Sequence, residues 1–162
     1  MNGGEIPKLQ KGLRAARGAV LASIEGVTEA EAYTVPEPDE WTVAQLLAHI
    51  AEIHSFWMER AILITMEDNP EIARSTVEND LRVDAVEDHS QDSLDDLKVR
   101  VAAANDEAVA AVAKIDPADL GRPGHREANP ITAAGVIEYL ARHVRLHAEQ
   151  ITETRRIIRE KA

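Results

Sequence analysis

Trp41-Thr42-Val43-Ala44-Gln45-Leu46-Leu47-Ala48-His49 opens a helix. Thr42 and Gln45 stand at capping-box spacing, in which a hydroxyl and a side-chain amide satisfy backbone amides at a helix start. Trp41 and Leu46 are spaced for the hydrophobic staple around it. Leu46, Ile50, Ile53, Trp57, Ala61 and Ile64 continue one apolar face until Glu67-Asp68-Asn69-Pro70 stops it.

Before this helix, Pro36 and Pro38 lack amide donors and restrict their neighbours, so the chain breaks between Tyr33 and Asp39. Further back, Ile6, Leu9, Leu13, Ala16, Val20, Ile24 and Val27 keep the three-or-four spacing of a first amphipathic helix. After it, residues 70–89 read as polar and irregular. About 20 extended residues reach roughly 65 Å, enough to recross a helix of about 36 Å, so a long crossover between the second and third helices is expected.

The third helix carries Leu94, Leu97, Val101, Ala104, Ala108, Ala111 and Ile115 and ends before Asp116-Pro117. For the fourth, Asn129 suits the N-cap and Pro130 the first helical position, which predicts a start at Ile131-Thr132. Its inward line runs through Val136, Leu140, His143 or Val144, His147, Ile151 and Ile158. Four such stripes, with no alternating pattern that would make a sheet, predict an all-α four-helix bundle forming one domain over residues 1–162. Parallel second and third helices would set the second and fourth antiparallel. The stripes alone leave that topology open.

Composition narrows the chemistry. No Cys occurs in the 162 residues, which excludes disulfides, thiolate ligands and a cysteine nucleophile, so any thiol must come from outside. Aromatics make up 3%, leaving Ala, Leu, Ile and Val to fill the core. No apolar run approaches the roughly 20 residues of a membrane span, and Asn2-Gly3-Gly4-Glu5 is unlike a secretion leader, so a cytoplasmic protein with no membrane partner is expected. The net charge is −11, and residues 67–96 hold eleven acidic side chains against Arg74 and Arg82. Phosphate backbones would be repelled there, and no nucleic-acid partner is expected despite the basic tail of Arg155, Arg156, Arg159 and Lys161. That tail suits the negative end of a helix dipole.

His143 and His147, at i and i+4, put two imidazoles on one helix face about a turn apart. Neutral imidazole ligates Zn, Ni, Cu or Fe, and a three-histidine set would leave coordination positions for water or substrate. The same spacing also fits two ordinary helix residues, one bonded in the core and one at the surface. An antiparallel bundle could bring His49 to the pair. His54 is turned about 140° from His49 and cannot easily face the same ion. His89 and His125 fall in expected loops and read as solvent-exposed. Glu52 is placed as a fourth ligand or a base, and Gln150 as a residue that orients a water, although each also fits a solvated surface.

The stretch from Trp41 to His49 resembles the opening of the second helix in DinB/YfiT-like proteins. His143-Val144-Arg145-Leu146-His147-Ala148-Glu149-Gln150-Ile151 resembles their closing element, and Ile115 to Leu120, through Gly124 to Pro130-Ile131-Thr132, resembles the run-in to their last helix. The resemblance implies up-down-down-up order, a homodimer, and one divalent ion, Ni or Zn with Mn or Fe as alternatives, held by His49, His143 and His147. It also implies an exogenous low-molecular-weight thiol or another small-molecule substrate. On this basis the expected function is a thiol-dependent S-transferase or hydrolase in which the ion activates a thiol or water and Glu52 acts as base. The competing expectation is a non-catalytic, stress-related module that binds a metal or ligand as a homodimer. A carboxylate-bridged di-iron bundle needs Glu-x-x-His pairs, and the chain has none.

Overall fold

The structure, a computed structural model, describes residues 4–89 and 91–162. The elements are α1 (Glu5–Ser23), a short α2 (Glu29–Ala32), α3 (Val43–Met66), α4 (Thr76–His89), α5 (Leu94–Ala113), a 3-10 turn (Pro117–Asp119), a hairpin of β1 (Pro123–Arg126) and β2 (Asn129–Thr132), and α6 (Ala133–Lys161). The long helices α1, α3, α5 and α6 form the bundle.

Their directions follow from which residues meet. Gln10 reaches the Val109 carbonyl and Asn105 the Leu13 carbonyl, so α1 and α5 run opposite ways. A Cβ built on Gly12 would lie 3.9 Å from Ala141, while Arg155 donates to the Ser23 carbonyl, so α1 and α6 run together. His49 faces His147 and Trp57 faces Tyr139, which makes α3 antiparallel to α6. The result is the up-down-down-up bundle with a long α3 to α5 crossover.

The α3 start is as its sequence dictates. The Gln45 amide donates to the Thr42 hydroxyl at 3.1 Å, and the Thr42 amide donates back to Gln45 Oε1 at 2.9 Å. Leu13, Val20, Leu46, Ile50, Ile64, Leu97, Leu140 and Val144 are fully enclosed, so aliphatic side chains build the interior. Val144, rather than His143, takes the core position on α6.

Three local expectations are corrected. Residues 76–89 of the crossover are a helix, not an irregular segment. Its start is a capping box of its own: the Glu78 amide donates to Ser75 Oγ, and the Ser75 amide to Glu78 Oε1, both at 3.1 Å. Only Val86 is buried along α4, so there is no apolar stripe to mark it. Second, α6 begins at Ala133, capped by the Thr132 hydroxyl, which accepts from the Gly135 amide at 3.0 Å. Asn129 and Pro130 pair in β2 instead, opposite Arg126 and His125, a two-stranded edge where a residue without an amide proton is tolerated. Third, the first helix ends at Ser23, short of the buried Ile24 and Val27.

The hairpin is tied to the chain leaving α3. The His125 amide donates to the Pro70 carbonyl and the Ile72 amide to the His125 carbonyl, both at 2.9 Å. Gly124 permits this approach, because a Cβ there would sit 2.7 Å from Ile64 Cδ1. The basic tail contacts a different helix end from its own. Arg155 donates to the carbonyls of Ser23 and Glu25, where α1 leaves its last acceptors unpaired. No helix among the described residues is long and apolar enough to cross a membrane.

At the bundle centre, His54 Nδ1 lies 2.7 Å from the Ile50 carbonyl, which can only accept, so Nδ1 carries the proton. Its Nε2 then accepts from Asn105 Nδ2 at 3.2 Å, and the same amide donates to the Leu13 carbonyl at 2.9 Å. One asparagine thus joins α1, α3 and α5 within the apolar interior. Asn105→Ala is expected to lower stability by about 2 kcal/mol through the unpaired groups it leaves, and Thr42→Ala by about 1 kcal/mol through loss of the cap. Chemical denaturation measures both. An Asn105→Ala effect within roughly 0.5 kcal/mol of zero, the range of ordinary surface substitutions, would show that the network adds no net stability.

Candidate metal centre

The antiparallel pairing of α3 and α6 brings His49, from the second turn of α3, against two residues in the middle of α6. His49, His143 and His147 each offer one ligand atom, and these atoms lie within 4.8 Å of one another. Nε2 of His143 and Nε2 of His147 are 3.2 Å apart. His49 stands edge-on to both rings, at centroid distances of 4.7 Å from His147 and 6.3 Å from His143. Trp41 covers its other side at 5.1 Å.

A hydrogen bond fixes the free nitrogen of His147. His147 Nδ1 lies 3.0 Å from Gln150 Oε1, an acceptor, so the proton is on Nδ1 and Nε2 presents its lone pair inward. His143 Nδ1 is 3.5 Å from the Tyr139 hydroxyl, and the Tyr139 ring stacks on its own at 5.3 Å. Two imidazole lone pairs 3.2 Å apart repel, so either a proton or a cation must lie between them. The buried His49 Nδ1 has no hydrogen-bond partner. The fit to a cation rests on the ligand atoms that the three imidazoles offer within 4.8 Å of one another. Three convergent neutral imidazoles are a donor set that suits a divalent transition-metal ion.

The rings are held neutral. Burial lowers the His49 pKa to about 3, with the charges of His147, Arg82, His143 and Arg74 adding to the effect. Burial likewise lowers His143 to about 4, aided by His147, Arg126 and Arg74. His147 is lowered by burial, while its bond to Gln150 opposes the shift.

Glu52 lies beside this group. Its Oε2 is 3.6 Å from His49 Nδ1, and the Arg74 guanidinium holds both oxygens, at 2.7 Å from Oε1 and 2.9 Å from Oε2. Burial raises the Glu52 carboxyl above its ordinary range, and Arg74 and Arg82 offset part of that rise. His54 points elsewhere, into the bundle centre. His89 and His125 are half-buried rather than free in loops: His89 meets Asp92 at 2.9 Å, and His125 Nε2 meets Glu71 at 3.0 Å.

Beside the imidazoles is a cavity of about 320 Å³, reached by His49, His143, Trp57, Tyr139 and three arginines, Arg74, Arg82 and Arg126. The sequence reading did not assign these arginines to the site. The available signal was that Arg74 and Arg82 are the only two basic residues in the acidic stretch 67–96.

The architecture and the imidazole cluster define a helical-bundle protein with a potential three-histidine metal site near one end. Residues 13–151 match the DinB superfamily, and the chain belongs to it. YfiT from Bacillus subtilis, described as a probable metal-dependent hydrolase with an unusual four-helix bundle topology, shares the fold. The two superpose with a TM-score of 0.76 at 18% identity, over 96% of this chain and 89% of that one. No curated protein sequence matches the chain.

Neutral buried histidines make stability depend on pH. His49 has a folded pKa of about 3, below its unfolded value of about 6.5. Its contribution is complete above pH 6.5 and is lost as pH falls through the window toward 3, because the unfolded chain binds the extra proton. In metal-free protein, His49→Gln is expected to flatten the acid-side stability slope by up to about 1.4 kcal/mol per pH unit. Denaturation at several pH values from 7 to 4 tests this, and unchanged slopes would contradict the assignment of His49 as a buried neutral base.

Proposed function

We propose that this chain is a divalent-metal-dependent enzyme, a hydrolase or thiol S-transferase, with His49, His143 and His147 as the ligands. The observation that carries the reading is the convergence of three neutral imidazoles, their ligand atoms within 4.8 Å, beside a cavity that reaches two of them. When bound, a divalent ion would supply Lewis acidity that brings a water or an exogenous thiol into its nucleophilic form near neutral pH.

The chain's own residues divide the remaining work. Gln150 holds His147 in the tautomer whose Nε2 faces the cluster. Trp41 and Tyr139 fix the planes of His49 and His143. Glu52, whose carboxyl is raised above its ordinary range by burial and which Arg74 anchors, is the carboxylate we assign as proton acceptor. Ni and Zn are the ions we expect, with Mn and Fe next. A small-molecule substrate or thiol is the partner, and the homodimer is the assembly we assign. The open cavity favours catalysis over an ion that only braces the bundle.

Elemental analysis of protein as purified is expected to find one divalent ion per chain, lost in His49→Ala and in His147→Ala. Stoichiometric metal retained in both variants would refute the ligand set. Protein loaded with Zn, Ni, Mn or Fe is expected to turn over an ester, or an electrophile with an added thiol. Glu52→Gln should then retain metal while losing roughly a hundredfold in kcat, as removal of a general base does. Failure of every loaded form to turn over any substrate or bind any thiol would favour the non-catalytic module.

A further inference from the structure

The charges around the cavity oppose those of the chain. The protein carries −11, yet the cavity is lined by Arg74, Arg82 and Arg126 against the single carboxylate of Glu127. Each arginine comes from a different peripheral element: the loop before α4, α4 itself, and the end of β1. Both arginines of the acidic stretch 67–96 line this cavity, so guanidiniums outnumber carboxylates in its lining.

The arginines are not equally committed. Arg74 is occupied, paired with Glu52 and lying 3.7 Å over the Phe56 ring. Arg82 has no ion-pair partner among the described residues, and its Nε is buried with no hydrogen-bond partner. Arg126 also lacks an ion pair among the described residues. Its guanidinium lies 5.2 Å from the centroids of both Trp57 and Tyr139, so aromatic rings orient it without neutralising it. Two guanidiniums without ion-pair partners among the described residues thus line one small cavity, Arg82 half-buried and Arg126 exposed, and Arg geometry suits an oxyanion.

We propose that the cavity selects a small anionic substrate, whose carboxylate or phosphate end is held by Arg82 and Arg126 while its other end reaches His49 and His143, the two imidazoles that line the cavity. The inference rests on reading those imidazoles as the reactive centre, since it names the class of molecule delivered to them. The volume of about 320 Å³ is at the small end of ligand pockets and fits a metabolite-sized acid rather than a peptide or polynucleotide. Ile53, Trp57 and Tyr139 contribute the carbon surface of a lining that is otherwise mostly polar. Positive charge at the mouth of a strongly acidic molecule also concentrates anions at this one place.

The test is calorimetric titration of the full chain with sodium succinate and, separately, with inorganic phosphate, with metal content measured on every sample. At least one probe is expected to bind once per chain, and the one that does identifies the anionic group. Arg82→Gln and Arg126→Gln are each expected to weaken that binding by about tenfold or more, the scale of a lost charge-assisted contact. Arg82→Lys should lose less, and Arg122→Gln, outside the cavity, should change nothing. Thermal unfolding confirms that each variant is folded. Saturable binding of neither probe at millimolar concentration, or binding equal in wild type and both glutamine variants, overturns the proposal. Metal loss in wild type with arginine-dependent binding intact would sink the metal reading alone, and full metal content with arginine-independent binding would sink this one alone.

Discussion

Along α3 the step from His49 to Trp57 is eight residues, and along α6 the step from Tyr139 to His147 is also eight. Two antiparallel α-helices in register therefore match ring for ring over about 12 Å of rise. The pairs His49 with His147 and Trp57 with Tyr139 mark the two ends of that match. A slip of one residue would turn one ring of each pair about 100° away. Register is held by the aliphatic interior on one side and by the α3 capping box, which fixes where the helix begins. The chemistry of the imidazoles depends on this alignment before it depends on any ion.

Polar groups buried at two levels of the bundle are handled differently. In the centre, His54, Asn105 and the Leu13 carbonyl satisfy one another almost completely, with only Asn105 Oδ1 left without a partner. Nearer the end, Nε2 of His143 and Nε2 of His147 are 3.2 Å apart and the buried His49 Nδ1 has no hydrogen-bond partner. The first arrangement rigidifies the bundle. The second leaves bonding capacity unused, which is the usual condition of a site awaiting a ligand.

Much of this was legible in the residues. The four long stripes gave the bundle, because aliphatic side chains at three-or-four spacing have few other uses, and Thr42 with Gln45 placed the α3 start to the residue. The i, i+4 histidines placed two members of the cluster. His49 entered through family resemblance, since no local pattern connects residues so distant along the chain. What was missed has physical reasons. Helix α4 buries only Val86, so hydrophobic periodicity had nothing to register, although Ser75 and Glu78 carried a capping signal. Asn129-Pro130 imitated a helix start because the same residues serve at an edge strand. Arg126 was beyond sequence reasoning altogether, since its place depends on where the hairpin settles.

That hairpin is tied to the chain leaving α3 by its close approach at Gly124, by backbone bonds to Pro70 and Ile72 and by side-chain bonds to Glu71, while α4 buries a single valine. The imidazoles, by contrast, stand on the two helices most deeply committed to the core. The candidate metal ligands and the cavity's arginines are thus mounted on separate parts of the architecture. Substitutions in the crossover or the hairpin tip would therefore reshape the rim of the cavity while leaving the helices that carry the imidazoles in place.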